Sequence, residues 1–169
     1  MRKQTLGIGL IVVALLTAIS FESARVFGQD ADSKDPIVGT WKLNLGKSNS
    51  VGPDGSLVRA TRPATRIVAA EGDGYRMTTF DDAAPNAARS YFFRPDGKEY
   101  PDPHGPGRGE LANHWRPSPY VMVRLVKTNG KPTEWVTYAI SSDCSVLTTT
   151  MWEPATPEKH MIQVYEREK

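Results

Sequence analysis

The chain has 169 residues, of which 39% are apolar, a length that accommodates one domain with accessory segments and leaves little room for two ordinary domains. Residues 1–28 hold three basic residues and one acidic residue, so their removal takes the 21 basic and 19 acidic residues of the chain to 18 of each. A chain without net charge gives no electrostatic argument for binding nucleic acid or an anionic membrane surface.

The N-terminus has the three-part layout of a secretory signal peptide. A basic start, MRK, precedes the 14-residue apolar run Leu6–Ile19, and small residues then offer cleavage after Ser20 or after Gly28. As a helix this run spans about 21 Å, less than the ~30 Å hydrocarbon core of a bilayer, so a permanent membrane span is the weaker interpretation. We predict a signal peptide over residues 1–28, cleaved after Gly28, and a mature protein that is periplasmic or secreted.

After a flexible segment at residues 29–36, residues 37–169 are predicted to form one all-β domain. Beyond Asp30 no segment of 12 or more residues has apolar residues at helical spacing. Ile37–Asn44 alternates between apolar and polar positions, as a half-buried strand does. Seven further segments are rich in β-branched or aromatic residues and complete a set of about eight strands: residues 65–69, 75–80, 89–94, 120–127, 134–140, 145–152 and 160–166.

Turn-forming residues separate several of these strands. Four hairpin turns are predicted, at residues 71–74, 95–98, 128–131 and 141–144, and Asn129-Gly130 is the most specific of their signals. Gly46–Pro63 and Pro101–Pro119 contain prolines and glycines that interrupt ladder pairing, so both are predicted to be loops. The expected architecture is an antiparallel up-and-down meander that closes into a barrel or stacks as a sandwich, because both solutions bury alternate side chains.

The opening strand, Val38–Asn44 (VGTWKLN), resembles that of calycin-type barrels, which include lipocalins and fatty-acid-binding proteins. It is more similar still to a group of secreted bacterial lipocalin-like proteins that open with VGTWKLN…KS and end with VYEK, words that correspond here to Val38–Asn44, Lys47-Ser48 and Val164–Arg167. The resemblance implies a small barrel or half-barrel that binds an apolar small molecule. It also implies that Gly39 and Trp41 close the bottom of the barrel.

Two features depart from the fatty-acid-binding pattern. Ser48–Pro63 lacks the apolar period of the two helices that cover those barrels. Where the last strand of those proteins carries Arg-x-Tyr, this chain has Gln163-Val164-Tyr165. A neutral amide does not offer the charge-assisted contact of an arginine, so the sequence favours an alcohol, an amide or another neutral polar head over a fatty acid.

Alternation along two strands supplies further candidates. If Met122 faces the interior, so does Arg124, which then needs an anionic partner or a ligand carboxylate; the alternative is that Arg124 faces solvent. Trp135 and Tyr138 lie on opposite faces of the next strand, so one of them is inside in either register. The predicted ligand-binding residues are Arg124, Gln163, Tyr165, Met122 and Trp135.

Trp41 is predicted to plug the core rather than to contact a ligand. A buried indole N–H needs a hydrogen-bond acceptor, and the ring offers a stacking surface to an arginine such as Arg124 or Arg167. The closing role of Trp41 and Gly39 is what the resemblance to calycin-type barrels implies.

Catalytic and metal chemistry have little support in the sequence. The single cysteine, Cys144, excludes an internal disulfide and cysteine metal clusters, and we expect its side chain to be buried. His104 and His114 are ten residues apart, a spacing that does not converge two imidazoles by local geometry. No nucleophile elbow accompanies them. We predict no enzymatic activity, no metal site and no cofactor.

These observations favour one function and leave a second open. The first is an exported lipocalin-like binding protein for a small, mainly apolar ligand. The alternative is a structural or interaction domain of the cell envelope, with a filled barrel and loops that contact a partner. A continuous interior cavity distinguishes the first from the second.

Overall fold

The computed structural model describes residues 35–52, 54–102 and 110–169, which form an antiparallel all-β fold. The predicted signal peptide lies outside the described residues. The strands in chain order are β1 (Gly39–Leu43), β2 (Asn49–Val51), β3 (Leu57–Arg59), β4 (Ala64–Glu71), β5 (Gly74–Asp81), β6 (Arg89–Phe93), β7 (Asp96–Pro101), β8 (Glu110–Ser118), β9 (Val121–Thr128), β10 (Lys131–Ile140), β11 (Val146–Glu153) and β12 (Thr156–Arg167). A short 3-10 helix, Pro85–Ala87, lies between β5 and β6.

One curled sheet contains all of these strands. The hydrogen-bonded order is β6-β5-β4-β1-β12-β11-β10-β9-β8-β7, with β2 paired to β12 and β3 paired to β2. The first strand thus lies between β4 and the last strand, and the two ends of the order are β6 and β7. The predicted antiparallel half-barrel is confirmed.

The structure confirms each of the eight predicted strands and adds four, of which three lie within the two predicted loops. Gly46–Pro63 holds β2 and β3, which form a hairpin in the place where fatty-acid-binding proteins have two helices. Pro101–Pro119 holds all of β8, and β7 runs from the predicted turn at residues 95–98 to Pro101. The loop prediction was therefore wrong for these segments.

The strand β8 forms through tertiary pairing rather than local preference. It pairs with β9 along one edge and with β7 along the other, which supplies the backbone partners that its sequence, ELANHWRPS, does not predict. Pro117 is accommodated because the register with β9 shifts between Trp115 and Ser118, where a missing backbone donor is tolerated.

Three of the four predicted hairpin turns connect paired strands. Asn129 and Gly130 have positive φ of 52° and 76°, as the Asn-Gly signal requires, and Cys144 has a φ of 56° in the turn before β11. The turn at residues 95–98 is different, because β6 and β7, which it connects, are the two ends of the sheet and are not paired in the described part of the chain. Its prediction as a hairpin was wrong.

Side chains bridge the opening between β6 and the β7–β8 pair. The ring of Phe93 stacks on the imidazole of His114 with centroids 4.4 Å apart. Arg116 of β8 donates to both carboxylate oxygens of Asp35 and to the Tyr75 hydroxyl of β5. Asp35 belongs to the segment that the sequence predicted to be flexible, and these contacts attach it to both sides of the opening.

No helix in the described ranges has the length and apolar character needed to cross a bilayer.

Candidate ligand-binding site

The strand registers define two ends of the half-barrel. One end, which we call the foot, has the start of β1 at Gly39 opposite Val68 of β4, together with the β4–β5 turn and the β10–β11 turn. The other end, which we call the mouth, has the pair Ala64 and Asp81, the β9–β10 turn and the β2–β3 hairpin. The two ends differ in how the interior is filled.

Trp41 closes the foot. Its side chain is fully buried, its Nε1–H donates to the carbonyl of Ile37 at 3.0 Å, and the guanidinium of Arg167 lies 4.1 Å from its ring centroid. Arg167 also donates to the carbonyls of Pro36, Val38 and Cys144. The structure thus shows both predicted contacts of Trp41: a hydrogen-bond acceptor for its indole N–H and an arginine stacked on its ring, which is Arg167.

Gly39 makes room for this arrangement. Its φ is +149°, and a Cβ on it would lie 2.3 Å from Nη1 of Arg167. A side chain at residue 39 would therefore displace the arginine that covers Trp41.

A cavity of about 500 Å³ occupies the interior on the mouth side, within the size range of small-molecule sites. Its apolar wall consists of Met77, Tyr91, Val126, Val136, Tyr138 and Met151. Its polar wall includes three arginines, hydroxyl groups and Gln163, and four carboxylates also line it: Asp102, Glu110, Glu134 and Glu153. The combination suits an amphipathic molecule better than a purely apolar one.

Arg66 of β4 is the most unusual group in this wall, since its side chain is buried without a carboxylate. The residue is 8% exposed, and its Nε and Nη1 donate to the hydroxyls of Thr79 and Thr149 at 3.4 and 2.8 Å. Its guanidinium lies 4.5 Å from the ring centroid of Tyr165. Within the described ranges Arg66 has no ion pair, and Nη2 has no protein hydrogen-bond acceptor. A buried cation with only hydroxyls and rings around it favours an anionic ligand group.

Arg66 was not among the predicted ligand-binding residues, although the sequence held a signal for it. In the predicted strand at residues 65–69, alternation places Arg66 on the same face as Val68, which packs in the core. The polar side chain on that apolar face was the sign of a buried cation.

Arg124 faces the interior as well, but its charge is neutralised. Nη2 donates to Asp102 at 2.6 Å, and Nη1 forms a short ion pair with Glu134. Of the two alternatives, burial with an anionic partner is the one observed, and protein carboxylates supply the anion. Arg124 therefore lines the cavity as part of an ion-pair cluster and has less need of a ligand anion than Arg66 has.

The two candidates on β12 lie together beneath Arg66. Gln163 lines the cavity, and its Oε1 accepts a hydrogen bond from the Tyr165 hydroxyl at 3.2 Å. Burial raises the pKa of the Tyr165 hydroxyl, while the charge of Arg66 opposes that shift, so the phenol is neutral at neutral pH. Tyr165 thus contacts an arginine from β4, whereas in the Arg-x-Tyr pattern the arginine lies on the same strand as the tyrosine.

The remaining two candidates, like the buried Tyr165, are not among the residues that line the cavity. Met122 is buried in the core cluster that also contains Trp41 and Leu147. Trp135 packs its ring between those of Trp115 and Trp152, at centroid distances of 5.4 and 5.8 Å. In β10 the cavity is lined by residues 133, 134, 136 and 138, and the last three lie on the opposite face from Trp135.

His114 is buried beside the cavity wall rather than at an exposed rim. Its backbone pairs with Arg124, its ring contacts Phe93 and Tyr91, and its Nε2 has no hydrogen-bond partner in the described part of the protein. Desolvation, together with the charge of Arg124, lowers the pKa of His114 to about 3. His104 lies outside the described residues.

The sequence matches no protein-family model and no curated protein. Solved structures are similar in fold. A fatty acid binding protein from Schistosoma mansoni in complex with arachidonic acid gives a TM-score of 0.58 at 18% identity, over 79% of this chain and 97% of that one. A mutant of the fluorescent protein UnaG also gives 0.58, at 16% identity over 79% and 97% of the two chains.

A secretory abundant heat soluble (SAHS) protein from Ramazzottius varieornatus gives a TM-score of 0.56 at 13% identity, over 79% of this chain and 96% of that one. At these identities the likeness establishes a shared fold and no more. This chain is therefore an antiparallel half-barrel that shares its fold with these proteins.

Proposed function

We propose that this protein is an exported, non-catalytic carrier of a small amphipathic molecule, with a mainly apolar body and an anionic head group. The observation that carries the proposal is the cavity of about 500 Å³ with Arg66 in its wall. A hollow interior supports a carrier over a filled structural domain. Export is proposed on the signal-peptide pattern of residues 1–28.

Arg66 makes an anionic head the better match than the neutral head that the sequence favoured. Its hydroxyl and aromatic partners carry no charge, so a ligand anion would form the first ion pair of that guanidinium. The carboxylates of the cavity are placed elsewhere: Asp102 and Glu134 contact Arg124, and Glu110 and Glu153 lie at the mouth ends of β8 and β11. The apolar body then lies against the side chains of Met77, Val136 and Met151.

The first prediction concerns the protein as purified from its own host. Native mass spectrometry is expected to show a chain cleaved after Gly28 that carries a small-molecule adduct, lost under denaturing conditions. An uncleaved chain would contradict export. A bare mass that persists after incubation with a lipid extract of the host would contradict the carrier function and favour the structural alternative.

The second prediction concerns the head group. Dodecanoate, dodecanol and dodecylamine share one tail length, so their affinities isolate the contribution of the head. We expect dodecanoate to bind best, and Arg66→Leu to weaken its binding roughly tenfold to a hundredfold while changing dodecanol binding little, because a charged hydrogen bond is lost. Isothermal titration calorimetry measures each affinity.

Arg76→Leu is the matched control for this substitution. Arg76 lies on β5 and pairs with Glu71, outside the cavity wall, so its loss is expected to leave all three affinities unchanged. Equal binding of dodecanoate and dodecanol, or an equal effect of the two arginine substitutions, would contradict the anionic head group.

A further inference from the structure

The β2–β3 hairpin is a small flap at the mouth of the half-barrel. Through β2 it pairs with Met161 and Ile162 of β12, and the backbone of Ala60 returns to Ser48. In the described residues β3 pairs with β2 and with no other strand, so its outer edge faces away from the sheet. The flap is held to the sheet along one side, and its far side is open.

The outer strand of the flap exposes apolar side chains on both of its faces, because successive residues of a strand point to opposite faces. Leu57 and Val58 of β3 are 71% and 53% exposed. Among the described residues, the third large apolar side chain with comparable exposure is Tyr120, at 41%, and it lies at the foot in the β8–β9 turn. Adjacent exposed aliphatic residues on an unpaired edge strand mark an interaction surface rather than ordinary exposure.

Basic side chains flank this apolar pair and continue to the cavity. Arg59 ends β3, and Arg62 follows in the segment that leads to β4. Both line a recess of about 600 Å³ together with Arg89 of β6, and Asp81 is the carboxylate among its lining residues. The recess and the cavity share the side chains of Thr79, Arg89 and Gln163, so the basic surface is continuous with the interior.

We propose that the β2–β3 hairpin docks the mouth of the half-barrel onto an anionic phospholipid surface. Leu57 and Val58 enter the interface between head groups and acyl chains, and Arg59 and Arg62 contact lipid phosphates. The chain from residue 29 onward has no net charge, but the charge that acts at a membrane is the local one, and the recess is lined by three arginines, Arg59, Arg62 and Arg89, and by one carboxylate, Asp81. Docking would let an amphiphile pass between bilayer and cavity along the recess, a consequence that rests on the proposed function.

A lipid surface fits this patch better than a partner strand. β3 has three residues, which leaves a short edge for pairing with another chain, and strand addition depends on main-chain hydrogen bonds along an edge. Neighbouring aliphatic and arginine side chains, in contrast, are the combination that interfacial segments use.

Vesicle flotation tests the docking. The processed protein is mixed with vesicles of phosphatidylcholine alone or of phosphatidylcholine with phosphatidylglycerol. We expect binding to the anionic vesicles, weakened by salt, and a loss of roughly tenfold or more for Leu57→Ser combined with Val58→Ser, and likewise for Arg59→Gln combined with Arg62→Gln. Tyr120→Ser is the matched control, because it removes an exposed apolar side chain at the foot and should leave binding unchanged.

Dodecanoate affinity in solution separates this proposal from the carrier function. Leu57 and Val58 do not line the cavity, so their substitution is expected to leave that affinity intact while vesicle binding falls. If the unsubstituted protein binds dodecanoate but not vesicles, the docking proposal alone is overturned. If it binds vesicles but no amphiphile, docking is supported and the carrier function fails. The docking proposal would also be overturned if Tyr120→Ser lost as much vesicle binding as the hairpin variants. It would be overturned as well if the protein did not bind vesicles but formed a dimer that the Leu57 and Val58 substitutions converted to monomer.

Discussion

Trp41→Ala is expected to lower the free energy of unfolding by about 3–5 kcal/mol, the range for removing a large aromatic side chain from a packed core. The substitution leaves a void at the foot, removes the hydrogen bond to the Ile37 carbonyl and takes away the ring on which Arg167 stacks. Arg167 would lose its aromatic platform while it still ties residues 36, 38 and 144 together. Chemical denaturation followed by circular dichroism measures the effect.

Trp41→Phe is the matched control for the closing role. It keeps an aromatic ring beneath Arg167 and removes the N–H donor, so we expect a loss well below that of the alanine variant. If alanine and phenylalanine variants unfold at the same denaturant concentration as the natural protein, the foot is not closed by Trp41. A large loss for alanine with unchanged dodecanoate affinity would agree with a plug that does not contact the ligand.

The foot of the half-barrel was predictable because local signals and tertiary packing agree there. Alternation in Ile37–Asn44 placed Trp41 on the buried face, and an indole that is buried must find an acceptor and benefits from a stacked cation. Gly39 is explained by the close approach of Arg167. This contact joins the first and last strands, so the sequence around residue 39 does not predict it. Alternation in the first strand therefore predicted the burial of Trp41, and the structure shows why a glycine stands at residue 39.

The mouth was less predictable because its strands depend on partners. The segment Glu110–Ser118 becomes a strand through pairing on both edges, and Leu57–Arg59 becomes one through β2. Neither segment has a strong β pattern of its own, and nearby proline and glycine argued for loops. The same dependence hid the chemistry of the cavity, since the neutral surroundings of Arg66 come from β5, β11 and β12.

His114 shows how this long-range assembly changes a titratable group. The sequence placed it in a loop as one of two histidines available for chemistry, whereas β8 carries it into the opening between β6 and β8. There the rings of Phe93 and Tyr91 contact the imidazole, and Arg124 lies on the neighbouring strand. Burial, reinforced by the charge of Arg124, lowers its pKa from 6.5 to about 3. The neutral imidazole thus serves as a flat, weakly polar ring that bridges the opening.

This shift predicts that the protein loses stability in mild acid through His114. Below its ordinary pKa of 6.5 the unfolded chain binds a proton that the folded chain refuses until about pH 3, so unfolding is favoured as the pH falls between these values. The resulting loss of unfolding free energy is absent above pH 6.5 and grows by about 1.4 kcal/mol for each pH unit below it. At pH 4 the loss is about 3 kcal/mol. Denaturation curves from pH 7 to pH 4 measure this slope.

His114→Phe isolates the histidine from the other titrating groups. The variant keeps a planar ring against Phe93 and has no proton to bind. Carboxylates titrate in both proteins and so cancel in the comparison. Asp35 is one of them: desolvation raises its pKa, but hydrogen bonds from Arg116 and Tyr75 outweigh that effect and hold the pKa below its usual range. The difference in unfolding free energy between the two proteins is expected to move in favour of phenylalanine by about 3 kcal/mol on going from pH 7 to pH 4. A constant difference over that range would show that the folded protein protonates His114 normally, and that the imidazole is not sealed within the opening between β6 and β8.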